Sequence, residues 1–461
     1  MNKLEKKYGL PMAICMVVGI VIGSGVFFKA QDVLSLTGGN ALDGVIAWLI
    51  GGAVMLSFAA TFAVMATKYE KNNGVMDYAE ATCGGTYTYF VGWFLSIIYY
   101  PSLTAVLCWL CGRYSMVAFF GESANSPEAL YGSRCIALSL IYMITVYAIN
   151  VISPKIAGKL QVSTTVVKLI PLAVIALVGT VAGAFNGTLV GNFSYENAVG
   201  QGHGGLFGAV CCTAFAYEGW IGATSINAEI KNSKRNLPLA LLIGSGIVVA
   251  AYVLYYIGIL GLVDGDRIME EGTNAAFGFF GSFGSWLISF LIVFSCLGTL
   301  NGLTVGCTRG LYSLAVRDEG PDPERFSEID PKSNMPTNSA VVGLLLTALW
   351  FAYFVGAQFY GWFGAFAFDS SELAIITIYA IYVPMLIMFM VKSRELGIVK
   401  RFVLPSLSLI GAGIMIAASI FRHGMDNVYY LIVFSVIMLL GIIPLVLNRR
   451  RQRRAADSAS E

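Results

Sequence analysis

Charge is what this sequence has least of. Asp, Glu, Lys and Arg make up 12% of its 461 residues, about half the ~25% of an average soluble chain, which is too little to cover a core of this size with a water-facing surface. Histidine is scarcer still, with His203 and His423 alone. No His-Glu-x-x-His and no Gly-x-Ser-x-Gly occurs, which argues against a membrane enzyme, and no selectivity-filter motif suggests a channel. The nine Cys are scattered through apolar stretches, and the one Cys-x-x-Cys, Cys108 to Cys111, has no second pair, so neither a metal nor a cofactor is expected. Alternating segments of about ten residues are missing, which excludes a barrel. Aromatics at 13% exclude disorder. What is left is an all-α integral membrane protein, with the lipid bilayer as its surroundings and no nucleic-acid partner.

A bilayer core about 30 Å thick takes around 20 apolar residues per helix. Twelve runs qualify, near residues 10–34, 44–66, 86–119, 134–152, 160–183, 205–228, 238–262, 278–314, 338–356, 371–391, 403–421 and 428–447. Pro101 within the third run predicts a kink or tilt. An even count puts both termini on one side, and the excess of Lys and Arg on inner segments makes that side the cytoplasm. Of the 29 Lys and Arg, only Lys29, Arg113, Arg134, Arg267 and Arg422 fall in or near outer segments, and Lys168 lies within a helix. Residues 1–9 and the basic tail 448–461 are therefore expected to be cytoplasmic. The first run is read as a retained helix, because Lys29-Ala30-Gln31-Asp32 is no signal-peptide cleavage site.

Two spans are interrupted at equivalent places. The first contains Gly19-Ile20-Val21-Ile22-Gly23-Ser24-Gly25-Val26-Phe27, and the sixth contains Phe215-Ala216-Tyr217-Glu218-Gly219-Trp220 followed by Gly222. If spans one to five (10–183) and six to ten (205–391) are repeats, each break opens its half. Five helices per unit, an odd number, then give opposite membrane orientations. Gly-Ser-Gly alone can be a packing motif, and a second copy stands at Gly244-Ser245-Gly246. The matched pair of breaks, one carrying the ionisable Glu218, points to a binding site. Freed amides suit a carboxylate and freed carbonyls an ammonium, and an amino acid carries both.

These motifs, together with Val167-Lys168-Leu169-Ile170-Pro171, Glu229-Ile230-Lys231-Asn232, and Leu300-Asn301-Gly302 followed by Arg309, resemble the L-amino acid transporter branch of the amino acid, polyamine and organocation superfamily, from about Tyr8 to the end of the twelfth span. The resemblance implies a LeuT-type fold: a 5+5 inverted repeat plus two C-terminal helices (403–447), working by alternating access and usually by exchange. It places the substrate carboxylate on the amides of Gly23, Ser24 and Gly25, and the ammonium against carbonyls of Val21, Phe215 and Glu218, with Ala216 and Gly219 completing the segment. Phe215 would be the aromatic gate. Lys168 would stand where sodium-coupled relatives hold a cation, implying transport without sodium. Glu218 departs from the family's usual Gly or Asp. The loop Gly121 to Ser133 lacks the Cys by which eukaryotic members bond a heavy subunit, so no disulfide-linked partner is expected.

The function expected is a secondary transporter, a sodium-independent exchanger of neutral L-amino acids in the inner cell membrane. The alternative is a carrier of cationic amino acids or amines, open to proton coupling, with Glu218 as counter-ion. Lys168 needs a partner inside its helix. Asp369-Ser370-Ser371-Glu372 reads as a capping box and His203 and His423 as solvated; in the fold the resemblance implies, Tyr99, Tyr100 and Tyr379 could shape the side-chain pocket, though packing is the first reading of each. Asn301 is weighed equally as a structural and a gating residue.

Overall fold

A computed structural model describes residues 9–23, 25–69, 74–123, 125–194, 205–222, 224 and 230–460, with side chains to 452. Ser24, Glu229 and His203 lie outside the described residues. Everything regular in the described chain is helical. In order these are α1 (Leu10–Val21), α2 (Gly25–Leu36), α3 (Ala41–Lys68), α4 (Val75–Cys83), α5 (Gly85–Phe94), α6 (Tyr100–Phe120), α7 (Pro127–Leu130), α8 (Ser133–Ile152), α9 (Pro154–Asn186), α10 (Thr188–Asn192) and α11 (Gly205–Tyr217). There follow α12 (Ser233–Leu262), α13 (Gly265–Glu271), α14 (Asn274–Phe277), α15 (Gly281–Ala315), α16 (Pro323–Ser327), α17 (Thr337–Phe359), α18 (Ser370–Lys392), α19 (Leu404–His423), α20 (Asp426–Leu440) and α21 (Ile442–Ser460).

Ten of the described helical segments are long and apolar enough to cross a membrane, and α1 with α2 form an eleventh as a pair bent by 46°. The sixth expected span is described only as the 13-residue α11 and the turn after it. Local chemistry sets the ends. Asn40 caps α3 by accepting the Asp43 amide at 3.0 Å, and Pro154 opens α9, where a missing N–H costs nothing.

Pro101 acts differently from the expected simple kink. A π-helical turn, Leu95–Tyr99, joins α5 to α6 just before it, and the Ile97 carbonyl, which a proline four residues on cannot satisfy, accepts the Trp350 indole N–H of α17 at 2.8 Å.

The long helices pack through small residues. Where α9 crosses α12, a Cβ on Gly179 would stand 2.0 Å from the Gly258 carbonyl oxygen and one on Gly183 2.4 Å from the Gly261 Cα, so only hydrogen allows that approach. The buried core runs continuously through the bundle, with Trp48, Trp220 and Tyr252 among its largest fully buried side chains. α18 runs from Glu372 in its first turn to Lys392 in its last, and each end of the bundle carries ion pairs. At one end Lys29, Arg422 and His423 converge on Glu372. At the other, Lys68 meets Glu395 at 2.6 Å and Arg317 meets Asp77 at 2.5 Å.

Candidate functional site

The break between α1 and α2 exposes backbone groups that a straight helix would pair internally, and the neighbouring helices take them up one by one. Lys168 of α9 donates to the Gly19 carbonyl at 2.6 Å, with its Nζ 3.3 Å from Thr299 Oγ1 of α15. Tyr252 of α12 donates to the Val21 carbonyl at 3.0 Å. Thr299 donates to the Ile22 carbonyl and Ser295 to the Gly23 carbonyl, each at 3.2 Å. Burying these carbonyls without donors would cost each about 1–3 kcal/mol. The Lys168 side chain is fully buried, so a chain-end escape to the interface is excluded and its ammonium is held by the broken helix.

The second break follows α11. Its geometry needs glycine at position 219: φ is +103°, and a Cβ there would lie 3.0 Å from Ile20 Cγ2. The Ala216 carbonyl accepts the same Tyr252 hydroxyl at 3.0 Å, so a single phenol on α12 ties both breaks together. Its oxygen also interacts with the Gly23 amide, which is therefore engaged in this conformation, as is the Val21 carbonyl expected to receive an ammonium. Glu218 accepts the Tyr99 hydroxyl. Tyr99 thus belongs to the site, the alternative to packing, through a hydrogen bond to Glu218 that no spacing along the chain records.

Between the breaks lies a narrow pocket with a cavity volume of about 30 Å³, room for little more than a water or two in this conformation. Val21, Gly23, Gly25, Phe215, Glu218 and Gly219 line it, as does Ile20. Ala216 stands behind, with its Cα 2.7 Å from where a Cβ of Gly25 would be. The remaining walls are Leu103 and Leu107 of α6, Thr299 and Leu303 of α15, and Ile375 of α18. Sequence reasoning missed these aliphatic residues, since nothing marks a pocket leucine off from a core one. Among the described lining residues Glu218 is the one ionisable group. Tyr100 and Tyr379 do not line the pocket; Tyr379 packs on Phe58 with ring centroids 5.1 Å apart.

Asn301 is not at the pocket. It accepts from Asn150 at 2.9 Å and donates to the Ala157 carbonyl at 3.1 Å and to Gln161 Oε1 at 3.0 Å, a buried network that joins α8, α9 and α15.

The larger departure concerns Glu372. Asp369 caps α18 as expected, accepting from the Ser371 and Glu372 amides at 2.8 and 3.0 Å. The Glu372 side chain does not turn back to complete a capping box. It is 0% exposed and takes Lys29 of α2, Arg422 Nε at 2.7 Å and His423 Nε2 at 3.0 Å. His423, read as solvated, is 8% exposed in its side chain, because a buried carboxylate needs every donor within reach. Cys211, Glu372 and His423 bring ligand atoms within 4.8 Å of one another, but Lys29, Arg422 and His423 together already take the carboxylate's four acceptor sites, and the two cations make the charge unfavourable for a metal ion.

The family model for amino acid permeases matches residues 8–443. A serine/threonine exchanger of Bacillus subtilis, SteT, is 29% identical over 462 residues, covering 99% of both chains. The human b(0,+)-type amino acid transporter 1 is 28% identical over 319 residues, 68% of this chain and 63% of its own length. The human cystine/glutamate transporter is 25% identical over 349 residues, 74% of this chain and 66% of its own. These relatives are transporters, not enzymes. A family match over nearly the whole chain, on a helical bundle with two broken segments around one pocket, places this protein in the amino acid permease family of the amino acid, polyamine and organocation superfamily.

Proposed function

We propose that the protein exchanges neutral L-amino acids across the membrane by alternating access, without sodium. The observation that carries this reading is the pocket between two helix breaks, where Val21, Gly23, Gly25, Phe215 and Glu218 stand opposite aliphatic walls from Leu103, Leu107, Leu303 and Ile375. Those walls match an apolar or small side chain and offer nothing to a distal charge. Lys168 supports sodium independence, since its Nζ occupies the space between α1, α9 and α15. The Bacillus relative that covers 99% of this chain is a serine/threonine exchanger.

The reading takes the chain as twelve spans, with a 5+5 inverted repeat over 10–183 and 205–391. Both termini face the cytoplasm of an inner-membrane protein that works without a disulfide-linked subunit. Glu218 in the pocket wall favours a second reading, transport of cationic amino acids or amines with this carboxylate as counter-ion.

Purified protein in liposomes separates the two. Uptake of radiolabelled alanine or serine should require an amino acid inside, proceed equally in sodium and choline media, and be competed by leucine, alanine and serine. Competition by arginine, lysine and putrescine alone would select the second reading, and uptake only in sodium would remove the role given to Lys168.

A further inference from the structure

The cluster around Glu372 adjoins the pocket without being part of it. Lys29 Nζ lies 5.7 Å from the ring centroid of Phe215, a pocket residue, and 4.9 Å from that of Phe28. Three separate helices meet on the one carboxylate: α2 through Lys29, α18 through Glu372 itself, and α19 through Arg422 and His423. α2 is the outer half of the broken first span by the expected orientation, and it is the element that alternating access would have to move.

A buried carboxylate that loses its partner is strongly destabilised, so a single Lys–Glu pair here would hold α2 shut. The cluster is built otherwise. Lys29 has a second acid on its own helix, Asp32, at 3.4 Å and one turn on, and the Asp32 side chain is 40% exposed. Glu372 has a second cation, Arg422, whose Nε and Nη2 reach its two oxygens at 2.7 and 3.3 Å. Cutting between α2 and the pair α18–α19 therefore yields two neutral halves: Lys29 with Asp32 on one side, Glu372 with Arg422 and His423 on the other.

We propose that these residues form a divisible latch over the pocket, in which Lys29 is handed from Glu372 to Asp32 as α2 moves away, while Arg422 keeps the carboxylate paired. The latch rests on the alternating-access reading for its purpose, but its charges can be tested without transport. It gives opposite signs for substitutions within one cluster. Removing Lys29 weakens only the closed arrangement. Removing Asp32 or Arg422 takes away the partner that Lys29 or Glu372 needs once parted, and losing Arg422 also relieves its repulsion of Lys29, so both changes favour closure.

Hydrogen–deuterium exchange of the α2 amides, measured on the full chain in nanodiscs, reads the balance. Lys29→Gln should speed exchange roughly tenfold, the size expected for one charge-assisted hydrogen bond. Asp32→Asn and Arg422→Gln should slow it below wild type. Should Arg422→Gln fail to fold, Arg422→Gln with Glu372→Gln removes both charges of that half and should behave as Lys29→Gln does. Changes of the same sign in all three single variants, or a double variant that matches wild type, would overturn the latch. The α2 amides report whether or not amino acids are carried, so a wild type inactive in liposomes would defeat the transport reading alone.

Discussion

Glu218 and Tyr99 are the residues where this pocket departs most from a bare backbone cradle. Glu218 accepts a hydrogen bond from the Tyr99 hydroxyl and is 7% exposed, so each group is the other's main polar partner in a medium where a lost hydrogen bond is costly. Their effects on substrate recognition should therefore be coupled. Glu218→Gln and Tyr99→Phe are each expected to raise the KM for uptake several-fold, and the double variant should lie closer to the worse single than to the product of both, a coupling of about 0.5–3 kcal/mol. Independent, multiplicative effects would mean that the pair does not act as a unit at the substrate. Glu218 was legible in the sequence because an acid in an apolar run calls for a reason; Tyr99 became a site residue only when the π-helical turn before α6 was packed against the second break.

At the scale of the helix, the two Gly-Ser-Gly motifs separate cleanly. A Cβ on Gly25 would come within 2.7 Å of the Ala216 backbone and 3.3 Å of the Phe215 ring, whereas one on Gly246 would have nothing within 4 Å. Gly25→Ala should thus disturb the seam between α2 and α11 and abolish uptake, with the protein still folded in the membrane by thermal-shift measurement. Gly246→Ala should leave uptake unchanged and raise thermal stability slightly, as expected when alanine replaces glycine inside a helix. Equal losses at the two sites would assign the first motif to general helix packing. The clash at Gly25 is with protein backbone, so such a loss reports the junction of the broken helices and not a ligand contact. The sequence carried the breaks themselves, through glycine spacing and position in each half. It did not carry the donors that quiet them, Tyr252 on α12 and Thr299 and Ser295 on α15, because a buried hydroxyl in a helix is ordinary until its neighbour is known.

For the whole molecule, the end of the bundle away from Glu372 gives a prediction with a sign. Glu319, in the loop after α15, has an oxygen buried without a hydrogen-bond partner among the described residues, and burial pushes its carboxyl from 4.5 up to about 7 against the pull of Arg317 and Arg449. The native chain then holds this proton more tightly than the unfolded one. Its contribution favours folding below about pH 4.5 and is lost as pH rises to about 7. The thermal midpoint of Glu319→Gln should exceed that of wild type near pH 8, with the difference shrinking as pH falls toward 5; a constant difference would remove the role of the proton.

Class and family were readable from the chain alone, since low charge, long apolar runs and two matched glycine breaks are local properties that burial in lipid imposes along the sequence. The same holds for Lys168, whose charge inside an apolar helix demanded a partner before one was seen. Only tertiary structure decided that Asn301 ties α8, α9 and α15 together away from the pocket, and that Glu372 meets Lys29 and Arg422 from 343 and 50 residues away along the chain. The capping-box spacing was real and Asp369 uses it, yet the carboxylate three residues on had a choice between a backbone amide and two cations. Electrostatics in a dry interior settles such a choice by which charges the fold brings within reach, and no spacing along one helix records that.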